Sequence, residues 1–120
     1  MISADVKKQI GRDVTRTFPK VAYFSKNSNG VRVLKRILIS YAIHVRPIGY
    51  TQGMNFVCAT LLYHSTEYVA FHLFNVVMEK YLCEIYSENL VGLITESHKI
   101  SRAILSDPRT KKIAAKIVFF

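Results

Sequence analysis

The sequence lacks any apolar run long enough to cross a bilayer. Its longest mainly apolar stretch covers residues 56–63, whereas a spanning helix needs about 20 apolar residues. Residues 1–8 also lack the apolar segment that follows the basic start of a signal peptide. We therefore expect a cytoplasmic chain without a membrane span.

Cysteine is scarce. Only Cys58 and Cys83 occur, and neither has a second cysteine or a histidine at metal-ligand spacing. This argues against a metal site and a disulfide framework. Both residues lie in apolar sequence, where free cysteines are usually buried, so we expect two reduced core thiols. The four histidines are also scattered without ligand spacing: His44, His64, His72 and His98.

Acidic side chains are few: the 120 residues contain 17 Lys and Arg against 8 Asp and Glu, a formal net charge of +9. Residues 1–60 hold ten of the basic side chains, opposed only by Asp5 and Asp13. Such a field favours nucleic acid, an acidic lipid surface, or the phosphates and acidic surface of another protein. Nucleic acid is the weakest of these candidates, because the basic residues are dispersed and no nucleic-acid motif is present.

Proline and glycine are too few to form a linker. Three prolines and five glycines are spread along the chain without a repeat, so we expect one domain over residues 1–120. Half of the residues are hydrophobic, which argues against disorder. Tryptophan is absent, and the aromatic residues are seven Phe and seven Tyr.

Apolar residues recur at spacings of three and four almost throughout, which predicts an all-α fold of about six helices. The first helix should end near Arg16 or Thr17, because Pro19 disfavours helical geometry in the residue before it. The second helix should cover residues 31–45 and the third should begin at Met54. The apolar face expected for the first helix consists of Ile2, Val6, Ile10 and Val14.

Three further helices are expected in the second half of the chain. Ser65 or Thr66 should cap the fourth, the fifth should cover about 89–105, and Pro108 should lie near the start of a short sixth. The buried face expected for the fourth helix is Ala70, Phe71, Phe74, Met78, Tyr81 and Leu82.

Two segments carry residues that a core has little use for. In residues 10–19, Arg16 lies at a helix end; in residues 49–55, Gln52 lies in a turn between two glycines. GTP hydrolysis needs a positive group against the charge on the transferring phosphoryl and a neutral group that holds the attacking water. Arginine suits the first need and a carboxamide the second. An arginine at a helix end is otherwise often a solvated partner of the helix dipole, and a turn glutamine often bonds its own backbone.

With these segments the chain resembles the TBC domain, the GTPase-activating module for Rab-type small GTPases. The family's Ile-x-x-Asp-x-x-Arg-Thr-x-Pro motif is matched by Ile10, Asp13, Arg16, Thr17 and Pro19. Its Tyr-x-Gln-Gly motif is matched by Tyr50, Gln52 and Gly53, and the likeness continues through Met54 and Asn55.

The resemblance implies a dual-finger mechanism in which the chain activates a GTPase without hydrolysing GTP itself. Arg16 would stabilise transition-state charge and Gln52 would position the hydrolytic water, both in trans. Supporting roles would fall to the neighbouring motif residues, with Asp13 orienting Arg16 or anchoring the backbone and Asn55 capping or bracing the Gln52 loop: Asp13, Tyr50, Gly53 and Asn55.

The resemblance also implies the partner. The chain would act on a Rab-type small GTPase in its GTP-bound form, and GTP and Mg²⁺ would belong to that partner, so that no cofactor or metal of its own is expected. Membrane association would be peripheral, through the GTPase, at endomembranes in vesicle trafficking.

The sequence departs from the family pattern in three places. Family members have a preceding segment with characteristic tryptophans, they continue past the region reached at Ile117 into a second helical lobe, and they often have Trp where this chain has His72. We therefore expect a partial TBC domain. This leaves an alternative open, a non-catalytic GTPase-binding or scaffold module.

Overall fold

The computed structural model describes residues 2–45, 49–86 and 90–117, with backbone alone at 114–117. Within them the chain forms helices and no strand, so the predicted all-α class is confirmed. A 3₁₀ turn covers Ala22–Phe24, and a π-helical turn at Met78–Leu82 continues the fourth helix. The six α-helices are α1 Ala4–Thr15, α2 Asn29–His44, α3 Met54–Tyr63, α4 Glu67–Val77, α5 Val91–Ser106 and α6 Pro108–Ile117.

Three helices begin at hydroxyl caps. The side chains of Ser3, Ser28 and Thr66 each accept a hydrogen bond from the backbone N–H three residues later, at 3.3, 3.3 and 3.4 Å. Each bond satisfies an N–H that has no partner inside its helix. The cap at Ser28 explains why α2 begins at Asn29, two positions before the start that periodicity indicated.

Helix α1 ends within one residue of the predicted position. Arg16 is its C-terminal cap, and the backbone N–H of Thr17 still bonds the Val14 carbonyl at 3.2 Å. Phe18 then adopts a φ of 46°, in the left-handed region. The chain therefore turns sharply just before Pro19, which cannot continue a helix.

Residues 1–82 form one compact unit whose core lies between α1, α2, α3 and α4. The rings of Tyr41 on α2 and Phe74 on α4 meet edge to face with centroids 4.9 Å apart. Burying each large side chain of such a core contributes about 1.5–3 kcal/mol. The largest fully buried side chains include Ile10, Leu34, Leu38, Met54, Leu62 and Phe74.

The buried face predicted for α4 is only partly correct. Ala70, Phe74 and Met78 are buried, but Tyr81 is 72% exposed. A π-helical turn bonds residue i to i+5 and so holds more residues than an α-helical turn. Side chains after Met78 therefore leave the α-helical register on which the prediction relied. Phe71 and Leu82 are half-buried.

Residues 83–120 form a second unit, which contains α5 and α6. No residue of α5 is buried, and the start predicted for it at Asn89 lies outside the described residues. Pro108 is the first residue of α6, as expected. Cys83 is half-buried, so the prediction of a core thiol is wrong there.

The prediction is correct for Cys58, which is buried within α3. Burial raises the pKa of the Cys58 thiol to about 12, because the thiolate would lose its hydration. Among the residues described, none of the helices combines the length and apolar character that a bilayer crossing requires.

Candidate functional site

Arg16 lies where α1 ends, with its side chain 54% exposed. Its Nε and Nη2 donate to the same oxygen, Asp13 Oδ1, at 3.0 and 2.5 Å. The two residues are three apart on one helix, a spacing that brings side chains onto the same face. Asp13 itself is buried. The carboxylate therefore holds the guanidinium, in keeping with the orienting contact expected of Asp13.

The second oxygen of Asp13 bonds the other motif. Tyr50 is 7% exposed and donates its hydroxyl proton to Asp13 Oδ2 at 2.8 Å. Both oxygens of this buried carboxylate are thus satisfied by donors, one of them positively charged. Tyr50 joins the segment at residues 49–55 to the end of α1.

A second connection runs through Asn55, which is fully buried at the start of α3. Its Nδ2 donates to Thr17 Oγ1 at 2.8 Å, and the Thr17 hydroxyl donates to the backbone carbonyl of Asp13 at 2.6 Å. Asn55 Oδ1 accepts from the N–H of Gly53 at 3.0 Å. Asn55 therefore braces the Gln52 turn, one of the two roles expected of it. We call Asp13, Thr17, Tyr50 and Asn55 the motif network.

Gln52 sits at the outer side of this turn. Gly49 and Gly53 flank it with φ values of 60° and 105°, a region that side chains disfavour. The Gln52 side chain is exposed and makes no hydrogen bond within the described residues. The backbone of the turn is thus held from inside while the carboxamide remains available to a ligand.

Arg16 and Gln52 border the same pocket. It is open to solvent, has a volume of about 430 Å³, and is completed by Gln9, Arg12 and Asp13. Two residues from separate motifs, predicted to meet at one groove, are therefore brought together. Their roles in catalysis stay predictions. Nowhere in the described part of the chain do three His, Cys, Asp or Glu side chains lie where they could hold a metal ion.

Sequence reasoning missed three residues of this region. Thr17 belongs to the first motif, but the motif alone does not indicate its bonding role; its buried hydroxyl needs hydrogen-bond partners. Neither motif pattern includes Gln9 or Arg12. Their spacing from Arg16 along α1, seven and four residues, was the available signal, because it places all three on one side of the helix.

A second pocket, of about 760 Å³, lies in the first unit and includes Ile37, Tyr68, Phe71 and His72. At its edge the guanidinium of Arg36 bonds both oxygens of Glu67, at 2.5 and 2.7 Å. The hydrogen bonds from Arg36 hold the pKa of the Glu67 carboxyl below its ordinary value. No sequence pattern indicates this pocket.

Residues 2–114 match the family profile of the Rab-GTPase-TBC domain. Over 97 residues the chain is 36% identical to the GTPase-activating protein MSB4 of Saccharomyces cerevisiae. It is 33% identical over 92 residues to the Rab GTPase-activating protein eat-17 of Caenorhabditis elegans. It is 35% identical over 109 residues to the growth hormone-regulated TBC protein 1 of Xenopus laevis.

These alignments cover most of this chain but a small part of the relatives. They include 76%, 76% and 88% of the chain, against 20%, 10% and 30% of the three relatives in the same order. The chain therefore spans less than a third of the length of each of these proteins.

Proposed function

The chain belongs to the Rab-GTPase-TBC domain family, and from this premise we propose that it accelerates GTP hydrolysis by a Rab-type small GTPase. The observation that carries the proposal is the shared pocket of Arg16 and Gln52. The GTP-bound partner supplies the nucleotide and Mg²⁺, and this chain supplies the two side chains in trans.

Arg16 provides the positive charge in the proposed mechanism. In the transition state, negative charge spreads over the oxygens of the transferring phosphoryl, and a planar guanidinium can bond two of them. Asp13 engages Nε and one hydrogen of Nη2, which leaves Nη1 and the second hydrogen of Nη2 as a fork for the phosphoryl. A side chain already held in place loses little rotamer freedom when the partner docks.

Gln52 positions the water. Its carboxamide oxygen accepts a hydrogen bond from the attacking water, and its NH₂ group donates to a phosphoryl oxygen. The brace from Asn55 to Gly53 fixes the turn beneath it. Holding the water in line with the transferring phosphoryl reduces the entropy that the reaction must otherwise lose.

The proposal is tested by single-turnover GTP hydrolysis across a panel of Rab proteins with the chain in catalytic amounts. We expect one or a few members to hydrolyse GTP much faster than they do alone. If no member responds although at least one binds, the catalytic proposal is wrong.

A non-catalytic GTPase-binding module is the second candidate. It is favoured by the Asp13 bonds of Arg16, which occupy part of the guanidinium. It predicts binding to a GTP-loaded Rab with no change in hydrolysis rate. Under either candidate, the chain reaches endomembranes peripherally, through a GTPase of vesicle trafficking.

A further inference from the structure

Arg12 lines the pocket of Arg16 and Gln52, and within the described residues its positive charge is not paired. Three charged residues line it: Arg12, Asp13 and Arg16. Asp13 accepts a hydrogen bond from Arg16 on one carboxylate oxygen and from Tyr50 on the other, so both oxygens already have donors. Arg12 is exposed, and its side chain has no hydrogen bond or ion pair in the part of the chain that the structure describes. The pocket therefore presents one positive charge without a counter-charge.

The position of Arg12 sets what it can reach. It precedes Arg16 by four residues on α1, which is about 6 Å along the helix axis on the same side. Gln9, half-buried one turn earlier, adds a neutral donor and acceptor beside it. When Arg16 meets the transferring phosphoryl, Arg12 must therefore face a different group about one helical turn away.

We propose that Arg12 is a recognition residue that binds an oxyanion of the docked GTPase, either a carboxylate of the protein or a phosphate of its nucleotide. This inference rests on the proposed function for the identity of the partner. A group one turn from the reacting atoms keeps its charge during hydrolysis. Its contact with Arg12 is equally strong in the ground state and the transition state, so it lowers Kd and KM but leaves kcat unchanged.

The test compares Arg12→Ala with Arg32→Ala, using a Rab that the parent chain binds. Arg32 is an exposed arginine on α2 outside the pocket, and its side chain makes no hydrogen bond or ion pair within the described residues. Both variants lose the same charge. We expect Arg12→Ala to raise Kd for the Rab loaded with a non-hydrolysable GTP analogue about tenfold, the effect of a good charged hydrogen bond. KM should rise in parallel, and Arg32→Ala should stay within about twofold.

The outcomes separate this inference from the proposed function. Equal effects of the two variants would overturn the inference, as would a loss of kcat in Arg12→Ala at unchanged KM. A parent chain that binds a Rab without accelerating hydrolysis removes the catalytic proposal, while the comparison of Kd values still decides the role of Arg12. A parent chain that binds no Rab removes both.

Two further arms identify the source of the oxyanion. If Arg12 binds a carboxylate, the analogue-loaded and GDP-loaded forms weaken alike, and Arg12→Glu is rescued by an acidic-to-lysine substitution on the Rab. If it binds an α- or β-phosphate, which both nucleotides carry, the two forms again weaken alike but no acidic-to-lysine substitution rescues Arg12→Glu. Either result supports the inference. Weakening of the analogue-loaded form alone would place Arg12 on the transferring γ-phosphate and would overturn it.

Discussion

Asp13 is the residue on which most of the site depends. Its carboxylate receives Arg16 on one oxygen and Tyr50 on the other, and its backbone carbonyl receives Thr17. A buried charge is tolerated only when its hydrogen-bond capacity is filled. The partners of Asp13 are therefore needed for stability, and the site geometry follows from that requirement.

The first prediction concerns the two fingers. Arginine fingers contribute about 10³ to 10⁵ in rate, so Arg16→Ala should remove nearly all stimulated hydrolysis while changing Rab affinity far less. Gln52→Ala should do the same, because the water loses its positioning groups. Arg16→Lys should also fail, since an ammonium cannot form the forked contact. Single-turnover hydrolysis measures all three.

Arg32→Ala, which removes an exposed arginine away from the pocket, is the control for these variants. It should retain the parent's stimulation. Stimulation by Arg16→Ala within a few fold of the parent, on a Rab that the parent activates, would contradict the finger assignment.

The second prediction concerns the Tyr50 hydroxyl. Tyr50→Phe keeps the ring but leaves Asp13 Oδ2 without its donor, and an unsatisfied buried group costs about 1–3 kcal/mol. Urea unfolding should show that the free energy of unfolding falls by this amount. Tyr68→Phe is the matched control, because Tyr68 is 73% exposed and its change should stay within about 0.5 kcal/mol. Equal losses would show that the Tyr50 bond adds nothing to stability.

At the scale of the elements, local signals account for most of the fold. Helix positions followed from apolar spacing, and the predicted cap at Thr66 is confirmed, whereas the caps at Ser3 and Ser28 were not predicted. The π-helical turn was not predictable, because nothing in residues 78–82 distinguishes a wider turn from an α-helical one. Tyr81 was misplaced for that reason.

The site was predictable in part. Two motifs pointed to Arg16 and Gln52, which line one pocket, and the Asp13 to Arg16 contact follows from helical spacing. The bonds from Tyr50 to Asp13 and from Asn55 to Thr17 join residues distant in sequence. Such bonds depend on how α1 and α3 pack, which no local pattern encodes.

The third prediction tests the turn that carries Gln52. Gly53 has a φ of 105°, where a side chain costs about 1–2 kcal/mol, so Gly53→Ala should destabilise the chain and displace Gln52. Gly11 lies inside α1 with open space around its Cβ position. Gly11→Ala should instead stabilise by about 0.5–1 kcal/mol. Thermal unfolding measures both variants. A change in Tm of the same sign for the two would contradict the conformational explanation.

For the whole molecule, the two units differ in how much apolar surface they bury. The first contains all of the described core residues. In the second, apolar side chains of α5 remain exposed, among them Val91, Ile94 and Ile100 at 58, 53 and 59%. Helices gain most of their stability from a buried face, so the second unit should open more readily.

The fourth prediction follows from this difference. Amide hydrogen exchange should be slow in α2 and α4 and fast in the region after Leu105, with α5 closer to the fast limit. The exchange rates of all the helices are measured in the same native sample without denaturant, so that α2 and α4 serve as the reference for α5 and α6. Uniform protection through α6 would contradict it and would indicate that residues 83–120 are as stable as the core.

The two bonds between the motif segments also restrict rigid-body motion. A single hydrogen bond between two segments would let one segment rotate about it relative to the other. Here Tyr50 bonds Asp13 and Asn55 bonds Thr17, at points one helical turn apart near the end of α1. Two bonds at separate points leave rotation only about the line that joins them. The backbone positions that carry Arg16 and Gln52 therefore stay close together, so that a partner docking at this pocket can contact both residues at once.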